Sequence, residues 1–436
     1  MKRKAQHPIK WQIPFFSVWT GQAFSLIGSK VVQFALVWWL TKLTGSATVL
    51  ATASLVALVP EIILGPIAGA YVDRWNRRML MIISDAIIAL SSLWLAFLFL
   101  AGAVEVWHVY VVMLIRAVGS SFHWPAMHAS TSLMVPKKHL ARVAGLNQMM
   151  NGALNIVGPP LGALLLELLP QYGVMLVDVG TALLAIGPLF FIYVPQPARE
   201  DLQAVKAGKP SIWADLGAGL RYIRGWPGLM VLIGAAMVFK IALTPAFSLL
   251  PLLVSKHFGG DAAQLSLLES ATGVGIVVGG LILSVWGGFR RRIFTTMMGI
   301  TILSTGLLAL GLAPGDLFWM ALAGAFVIGL MLPLTDGPIM AILQGTVVPE
   351  MQGRVFTIMI SLLSITSPLG LVVAGPVSDW LGLQIWFLTA GVLCGAVGLA
   401  GFFVPALVYI EENHRPPAVE KGWAAPTAPE ISTAGH

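Results

Sequence analysis

The chain has 436 residues, of which 57% are hydrophobic and only 10% are charged, whereas soluble domains average about 45–50% apolar and about 25% charged residues. This composition excludes an ordinary soluble fold and predicts a polytopic membrane protein. The net charge of +7 does not indicate nucleic-acid binding, because Lys and Arg sit in short loops between apolar segments. The single cysteine, Cys394, excludes an internal disulfide and a multi-cysteine metal site.

Twelve apolar spans of about the 20 residues that cross a bilayer can be counted along the chain. They cover residues 14–42, 48–70, 79–101, 107–131, 143–168, 172–194, 227–254, 264–286, 293–313, 317–345, 355–378 and 383–409. The first is far longer than the apolar core of a signal peptide and no small-residue cleavage site follows it, so we expect an uncleaved helix. The predicted fold class is an all-α membrane protein with twelve transmembrane helices.

The 26 Lys and Arg residues indicate the orientation of these spans. With the N-terminus in the cytoplasm, 21 of them fall in cytoplasmic segments, two (Lys42 and Lys256) fall on the other side, and three lie within spans. Basic loops tend to stay in the cytoplasm, and a miscount by one span would swap the two sides downstream. We therefore predict that both termini are cytoplasmic.

A weak internal repeat divides the chain into two units. Identities recur at an offset of 213 residues: Pro14 with Pro227, Gly21 with Gly234, Arg77 and Arg78 with Arg290 and Arg291, Pro125 and Met127 with Pro338 and Met340, and Val135 and Pro136 with Val348 and Pro349. Six spans is an even number, so the two copies would share one orientation. The predicted domains are a six-helix half at 1–194, a cytoplasmic linker at 195–226, a second six-helix half at 227–410 and a disordered tail at 411–436. Apolar residues at helical spacing predict a short interfacial helix over 211–224 of the linker.

The turn between the second and third spans carries a dense group of charges. Its pattern consists of Gly69, Asp73, Arg74, Arg77 and Arg78. This pattern resembles the loop signature of the major facilitator superfamily, with Asn76 where glycine is usual. The resemblance implies the major facilitator fold and a conformational latch, in which Asp73 accepts hydrogen bonds from a neighbouring helix N-terminus and the arginines pair with carboxylates or lipid phosphates. A solvated loop that only orients the helices is the alternative, and the second copy near Arg290 lacks the Asp, so the latch should be asymmetric.

The fifth span contains the sequence Gly158-Pro159-Pro160-Leu161-Gly162. It resembles the motif of drug–proton antiporters, although Leu154 and Ala163 replace the usual flanking glycines. Proline removes a backbone donor and glycine permits close helix approach, so a hinge is expected at Gly158, Pro159 and Gly162. A plain packing kink is the alternative.

Arg116 lies near the middle of the fourth span and resembles the arginine that the superfamily uses in proton coupling. A charge at the bilayer centre costs at least ~2.5–3.5 kcal/mol and persists only when something offsets that cost. Arg116 could hold a neighbouring carboxylate in its charged form, bind an anionic substrate, or form a structural ion pair.

Seven further ionisable residues lie within spans: Lys30, Glu61, Asp85, Asp178, Lys240, Glu269 and Asp336. We expect Glu61 and Asp336 to sit deepest, and take them with Arg116, Lys30 and Lys240 as candidates for proton coupling or for the substrate cavity. Asp85, Asp178 and Glu269 are expected near the membrane interfaces. His123, beside a Pro125 that is expected to interrupt the span, is predicted to pack through hydrogen bonds rather than to titrate.

The sequence contains no Walker loop, zinc-ligand cluster or nucleophile elbow, so we expect no enzyme, no metal, no cofactor and no ATP-driven transport by this chain. Its first span and its Gly-Pro motif resemble the bacterial macrolide-efflux and siderophore-exporter branch of the superfamily. That resemblance implies a monomeric secondary transporter of the bacterial inner membrane, which exchanges protons for a bulky hydrophobic or amphipathic molecule, such as a macrolide-like drug or a siderophore. A proton-coupled importer of a small metabolite and a non-transporting scaffold or receptor are the alternatives.

Overall fold

A computed structural model of the chain describes residues 11–72, 75–196 and 212–412, and these residues form helices joined by short turns. The first set of long helices is α1 (Gln12–Thr44), α2 (Ala47–Val72), α3 (Arg77–Leu100), α4 (Val106–Met134), α5 (Leu140–Leu168) and α6 (Gln171–Phe191). A 3-10 turn, Lys137–His139, precedes α5.

The second set follows a short helix, α7 (Ile212–Arg224), which lies where the sequence predicts a helix in the linker. It comprises α8 (Pro227–Leu252, continued by a π-helical turn Leu253–His257), α9 (Ala262–Trp286), α10 (Arg292–Leu312), α11 (Phe318–Thr346), α12 (Pro349–Leu381) and α13 (Leu383–Gly401), and ends with the short α14 (Pro405–Val408). The helix α7 packs on α12. A Cβ added to Gly219 would meet the side chain of Ile358 and the Cβ and backbone of Arg354.

Eleven helices of the described ranges are long and apolar enough to cross a membrane. The helix α4 is not among them, because Arg116 and three histidines lower its hydropathy. Its 29 residues nevertheless pack in the bundle against α2 and α3, which makes it the twelfth span. The all-helical, twelve-span fold class is therefore confirmed, with most boundaries within a few residues of those predicted.

Two local predictions are wrong. The sequence predicts one span over 383–409, whereas α13 ends at Gly401 and α14 begins at Pro405. Val404 is extended (φ −88°, ψ 107°), as expected of a residue that proline follows. The sequence also predicts that Pro125 interrupts the fourth span, whereas α4 continues through it to Met134. The tail from residue 413 lies outside the described residues.

Local sequence explains several helix ends. Gly45 follows α1 with φ of +58°, a left-handed conformation that glycine adopts without a Cβ penalty. The Asn76 side chain accepts a hydrogen bond from Met79 N at 3.3 Å at the start of α3, and Asp261 accepts one from Gln264 N at 2.9 Å at the start of α9. These caps satisfy backbone donors that the first helical turn leaves free.

The helices α1–α6 pack mainly on one another, as do α8–α13, and we refer to these two groups of helices as the halves. The halves meet chiefly along α2 with α12 and along α5 with α9. Large apolar side chains such as Phe191 and Val285 are about nine-tenths exposed on the outside of the bundle, as expected of surfaces that contact lipid. We call the face where α2 ends and α3 begins the linker face, and the face where α1 ends and α2 begins the far face.

Candidate functional site

A cavity of about 950 Å³ lies between the two halves. Its walls come from α1, α2, α4 and α5 on one side and from α8 and α9 on the other, with single residues from α3, α11 and α12. A volume of this size accommodates a drug-sized molecule. Most of the lining is apolar, and the ionisable side chains that reach it are Lys30, Glu61, Arg116 and Glu269.

Arg116 is held by a buried ion pair at the cavity wall. Its Nη1 donates to Asp178 Oδ2 at 2.5 Å and to Ser92 Oγ at 2.8 Å, and its Nη2 donates to the Ser29 carbonyl at 3.3 Å. Asp178 is 1% exposed and also accepts from the hydroxyls of Ser29 and Ser92. The expectation that Asp178 is interfacial is wrong, because α1, α3 and α4 enclose it. Arg116 thus forms an ion pair with Asp178.

Lys30 lines the cavity together with the carboxylates Glu61 and Glu269. It projects from α1 and interacts electrostatically with Glu61 on α2 and with Glu269 on α9. Glu269 belongs to the second half, so this interaction crosses between the halves. The expectation that Glu269 is interfacial is wrong, since its side chain lines the central cavity.

Asp336 and Lys240 lie apart from this group. They interact electrostatically with each other, and of the residues that the structure describes around the cavity neither is part of the lining. The sequence grouped them with Glu61, Lys30 and Arg116 because all five lie deep in spans. Of these five, Glu61, Lys30 and Arg116 line the cavity.

Asp85 and His123 belong to a second buried polar cluster inside the first half. Asp85 is 3% exposed and accepts from Gln22 Nε2 at 3.0 Å and from Ser25 Oγ at 3.4 Å. His123 Nε2 lies 2.7 Å from Gln22 Oε1 and 3.4 Å from Asp85 Oδ1. The hydrogen-bonded packing predicted for His123 agrees with these contacts, whereas the interfacial position expected for Asp85 is wrong.

The Gly-Pro motif lies in a continuous helix and faces α1. A Cβ on Gly158 would approach the Lys30 Cβ to 3.2 Å, and a Cβ on Gly162 would approach the Phe34 ring to 2.8 Å. The glycines thus permit close packing of α5 on α1, next to the lysine of the cavity. Pro159 lines the cavity itself.

The loop signature is described in part, since Asp73 and Arg74 fall outside the described residues. Arg77 Nη1 donates to the Ala129 carbonyl at 2.8 Å, and Arg78 Nη2 donates to the Phe190 carbonyl at 2.6 Å. These contacts tie the start of α3 to α4 and α6 within the first half. At Gly69, near the end of α2, the position that a Cβ would occupy is open.

Two features of the interface between the halves were missed from the sequence. Ser54 on α2 and Ser248 on α8 share a hydrogen bond beside the cavity. Asp379, in the last turn of α12, accepts hydrogen bonds from the start of α2. Neither a serine within a span nor an aspartate at a helix end carries a signal of a partner so distant in sequence.

Comparison with known proteins identifies the fold and its class. The sequence profile of the Major Facilitator Superfamily matches residues 18–253 and 232–433, which together cover most of the chain. The chain belongs to the major facilitator superfamily. It is 32% identical over 383 residues to macrolide efflux protein A of Streptococcus pyogenes, which covers 88% of this chain and 94% of that protein.

Two further proteins are similar to this chain. The chain is 28% identical over 406 residues to the multidrug efflux pump Tap of Mycolicibacterium fortuitum, covering 89% of this chain and 95% of the pump. A crystal structure of a mutant nucleoside transporter, NupG, superposes with a TM-score of 0.66 at 12% identity, covering 89% of this chain and 98% of that one. This chain is thus a multi-pass membrane transporter with efflux pumps among its homologues.

Proposed function

We propose that this major facilitator protein exports a bulky apolar or amphipathic small molecule in exchange for protons, by alternating access to its central cavity. The observation that carries the proposal is a cavity of about 950 Å³ whose wall is shared between the two halves and holds Lys30, Glu61 and Glu269. Rocking of the halves would expose such a site to one side at a time. Homology to macrolide and multidrug efflux proteins supports export rather than import.

The charges of the cavity support exchange with a proton. Among the described residues that line the cavity, Arg116 is paired with Asp178, and Lys30 is the base that interacts electrostatically with two carboxylates, Glu61 and Glu269. With all groups ionised, one carboxylate is left without a basic partner in a low-dielectric site, which is unfavourable. We propose that a proton binds one carboxylate of the cavity, and that a bound substrate which displaces this proton couples the two fluxes.

The setting of the protein follows from the same proposal. We infer a monomer in the bacterial inner membrane with both termini in the cytoplasm, supported by the distribution of Lys and Arg among the loops. The hinge at Gly158, Pro159 and Gly162 and the latch at Asp73 remain part of the proposed mechanism.

Uptake into everted membrane vesicles, driven by a proton gradient, provides the test. We expect uptake of at least one compound from a panel of macrolides, other amphipathic drugs and siderophores, and we expect an ionophore to abolish it. Glu61→Gln and Glu269→Gln should each lower uptake at least about tenfold, as expected when a proton-transfer group is removed. Glu167→Gln, an exposed carboxylate near the end of α5, is the matched control and should transport normally.

The alternatives predict different outcomes of this experiment. An importer would accumulate its substrate in right-side-out rather than in everted vesicles. A scaffold or receptor would give no flux in either orientation. Uptake that persists unchanged with the ionophore, or in both Gln variants, would contradict proton exchange at this site.

A further inference from the structure

The far face is closed by a contact in which one half caps a helix of the other. Asp379 Oδ1 accepts a hydrogen bond from Ala47 N at 2.7 Å, and Oδ2 accepts one from Thr48 N at 2.9 Å. Asp379 Oδ2 also accepts from Ser46 Oγ at 2.9 Å. Ala47 is the first residue of α2, so these are backbone donors that the helix itself cannot satisfy.

Electrostatics favours this arrangement. The N-terminus of a helix carries a partial positive charge, and hydrogen bonds to an ionised carboxylate are stronger than neutral ones. Asp379 lies in the last turn of α12, so a residue from the second half acts as a cap for a helix of the first half. Separation of the halves at this face would break all three hydrogen bonds together.

One turn before Asp379, α12 and α2 also pack in close contact. A Cβ on Gly375 would lie 2.9 Å from Thr48 Cα and 3.1 Å from Ala51 Cβ. Ala374 is fully buried in a cluster with Ala47 and Leu50. The end of α12 therefore fits against the first turn of α2 only because small residues line the contact.

A second contact between the halves lies on the same face. Lys42, near the end of α1, donates from Nζ to the Gly260 carbonyl at 3.3 Å, just before α9. The Ser54–Ser248 hydrogen bond and the bond from Ser270 Oγ to the Ile156 carbonyl at 3.1 Å lie nearer the middle of the spans. These hydrogen bonds join the halves at the far face and near the middle of the spans.

We propose that Asp379 is the latch of the far face, and that its cap on α2 stabilises the state in which that face is closed. The inference rests on the proposed alternation between two states and assigns its stabilisation to a named carboxylate. The helices α2 and α12 run antiparallel and pack on each other. A latch at their far ends holds the transporter in the form whose cavity is accessible from the linker face.

Double electron–electron resonance on the purified full-length chain tests the latch without a transport assay. Spin labels at Leu100 and Leu312, exposed ends of α3 and α10 at the far face, report opening of that face. Labels at Ile13 and Val285 report the linker face, and Cys394 can stay because it is fully buried. Asp379→Asn should raise the population with the long Leu100–Leu312 distance about three- to tenfold, as expected for loss of charge-assisted capping.

Controls separate the latch from a general loss of structure. Asp316→Asn, an exposed carboxylate in the far-face turn between α10 and α11, should leave both distance distributions unchanged. Gly375→Val forces α12 and α2 apart with Asp379 intact, and should shift the distance distributions as Asp379→Asn does. A far-face distribution in Asp379→Asn identical to wild type would overturn the latch. A shifted distribution in a protein that transports nothing would leave the latch standing and remove the proposed function instead.

Discussion

Arg116 illustrates how a charge is retained within an apolar bundle. The guanidinium and the Asp178 carboxylate are each almost fully removed from solvent, with 11% and 1% of their side chains exposed. Two serines and a backbone carbonyl satisfy remaining donors and acceptors. A buried ion pair of this kind is costly to break, because the surviving partner is left charged and unpaired.

Arg116→Met should therefore lower the free energy of unfolding by about 3–5 kcal/mol, since it leaves Asp178 without its partner. The thermal unfolding midpoint of the purified protein in detergent measures this change. The double variant Arg116→Met with Asp178→Leu removes both charges and should recover most of the lost stability. An unchanged midpoint in the single variant would show that the pair does not stabilise the fold.

The sequence identified Arg116 as a special residue but not its partner. A single charged residue in an apolar run is visible without any structure, because its cost depends only on the surrounding apolar residues. The partner, Asp178, is 62 positions away on another helix, and helix-to-helix contacts are not encoded in spacing along the chain. Asp178 and Glu269 were expected at the interfaces because each lies within a few turns of a span end. Their surroundings are set by tertiary packing instead.

At the scale of helices, close approach depends on where glycine lies. Gly162 on α5 faces the Phe34 ring, and Phe34 is buried, so the ring cannot easily move away. Gly152 lies on the same helix, and the position that a Cβ would occupy there is open. The two positions form a matched pair within one element.

Gly162→Ala should lower the free energy of unfolding by about 1–3 kcal/mol, because the added methyl group overpacks the α1–α5 contact. Gly152→Ala should raise it by up to about 1 kcal/mol, since alanine is the better helix former. Thermal unfolding of both variants in detergent provides the comparison. Equal midpoints for the two variants would mean that the glycine motif does not serve the packing of α5 on α1.

Most helices could be predicted from the sequence because a membrane span is a local property of length and apolarity. The errors occur where local signals conflict. Pro125 lacks a backbone donor, yet α4 continues through it, packed against α2 and α3. Pro405 marks the break before α14, and the apolar run around it concealed that break.

At the scale of the whole molecule, the proposed export requires one orientation of the protein in the membrane. We predict that a tag at the C-terminus and a label in the loop between α2 and α3 react only from the cytoplasm, because the basic residues concentrate on that side. Labelling of intact cells with a membrane-impermeant reagent, compared with labelling of everted vesicles, measures this accessibility. Labelling of the C-terminus in intact cells would reverse the assigned faces.

The repeat and the even number of spans predict two halves with one orientation. The cavity could not be predicted from the sequence, because it depends on how α1, α2, α8 and α9 meet. The charges that meet there, Lys30, Glu61 and Glu269, come from both halves and define the proposed exchange.

Substrate-driven proton movement in proteoliposomes tests that exchange most directly. With a pH-sensitive dye inside the liposomes and a compound identified in the vesicle screen, an inward substrate gradient should drive protons outward. The same gradient should drive no proton movement in Glu269→Gln. Substrate flux without any proton flux, or with protons moving in the same direction as the substrate, would contradict the account.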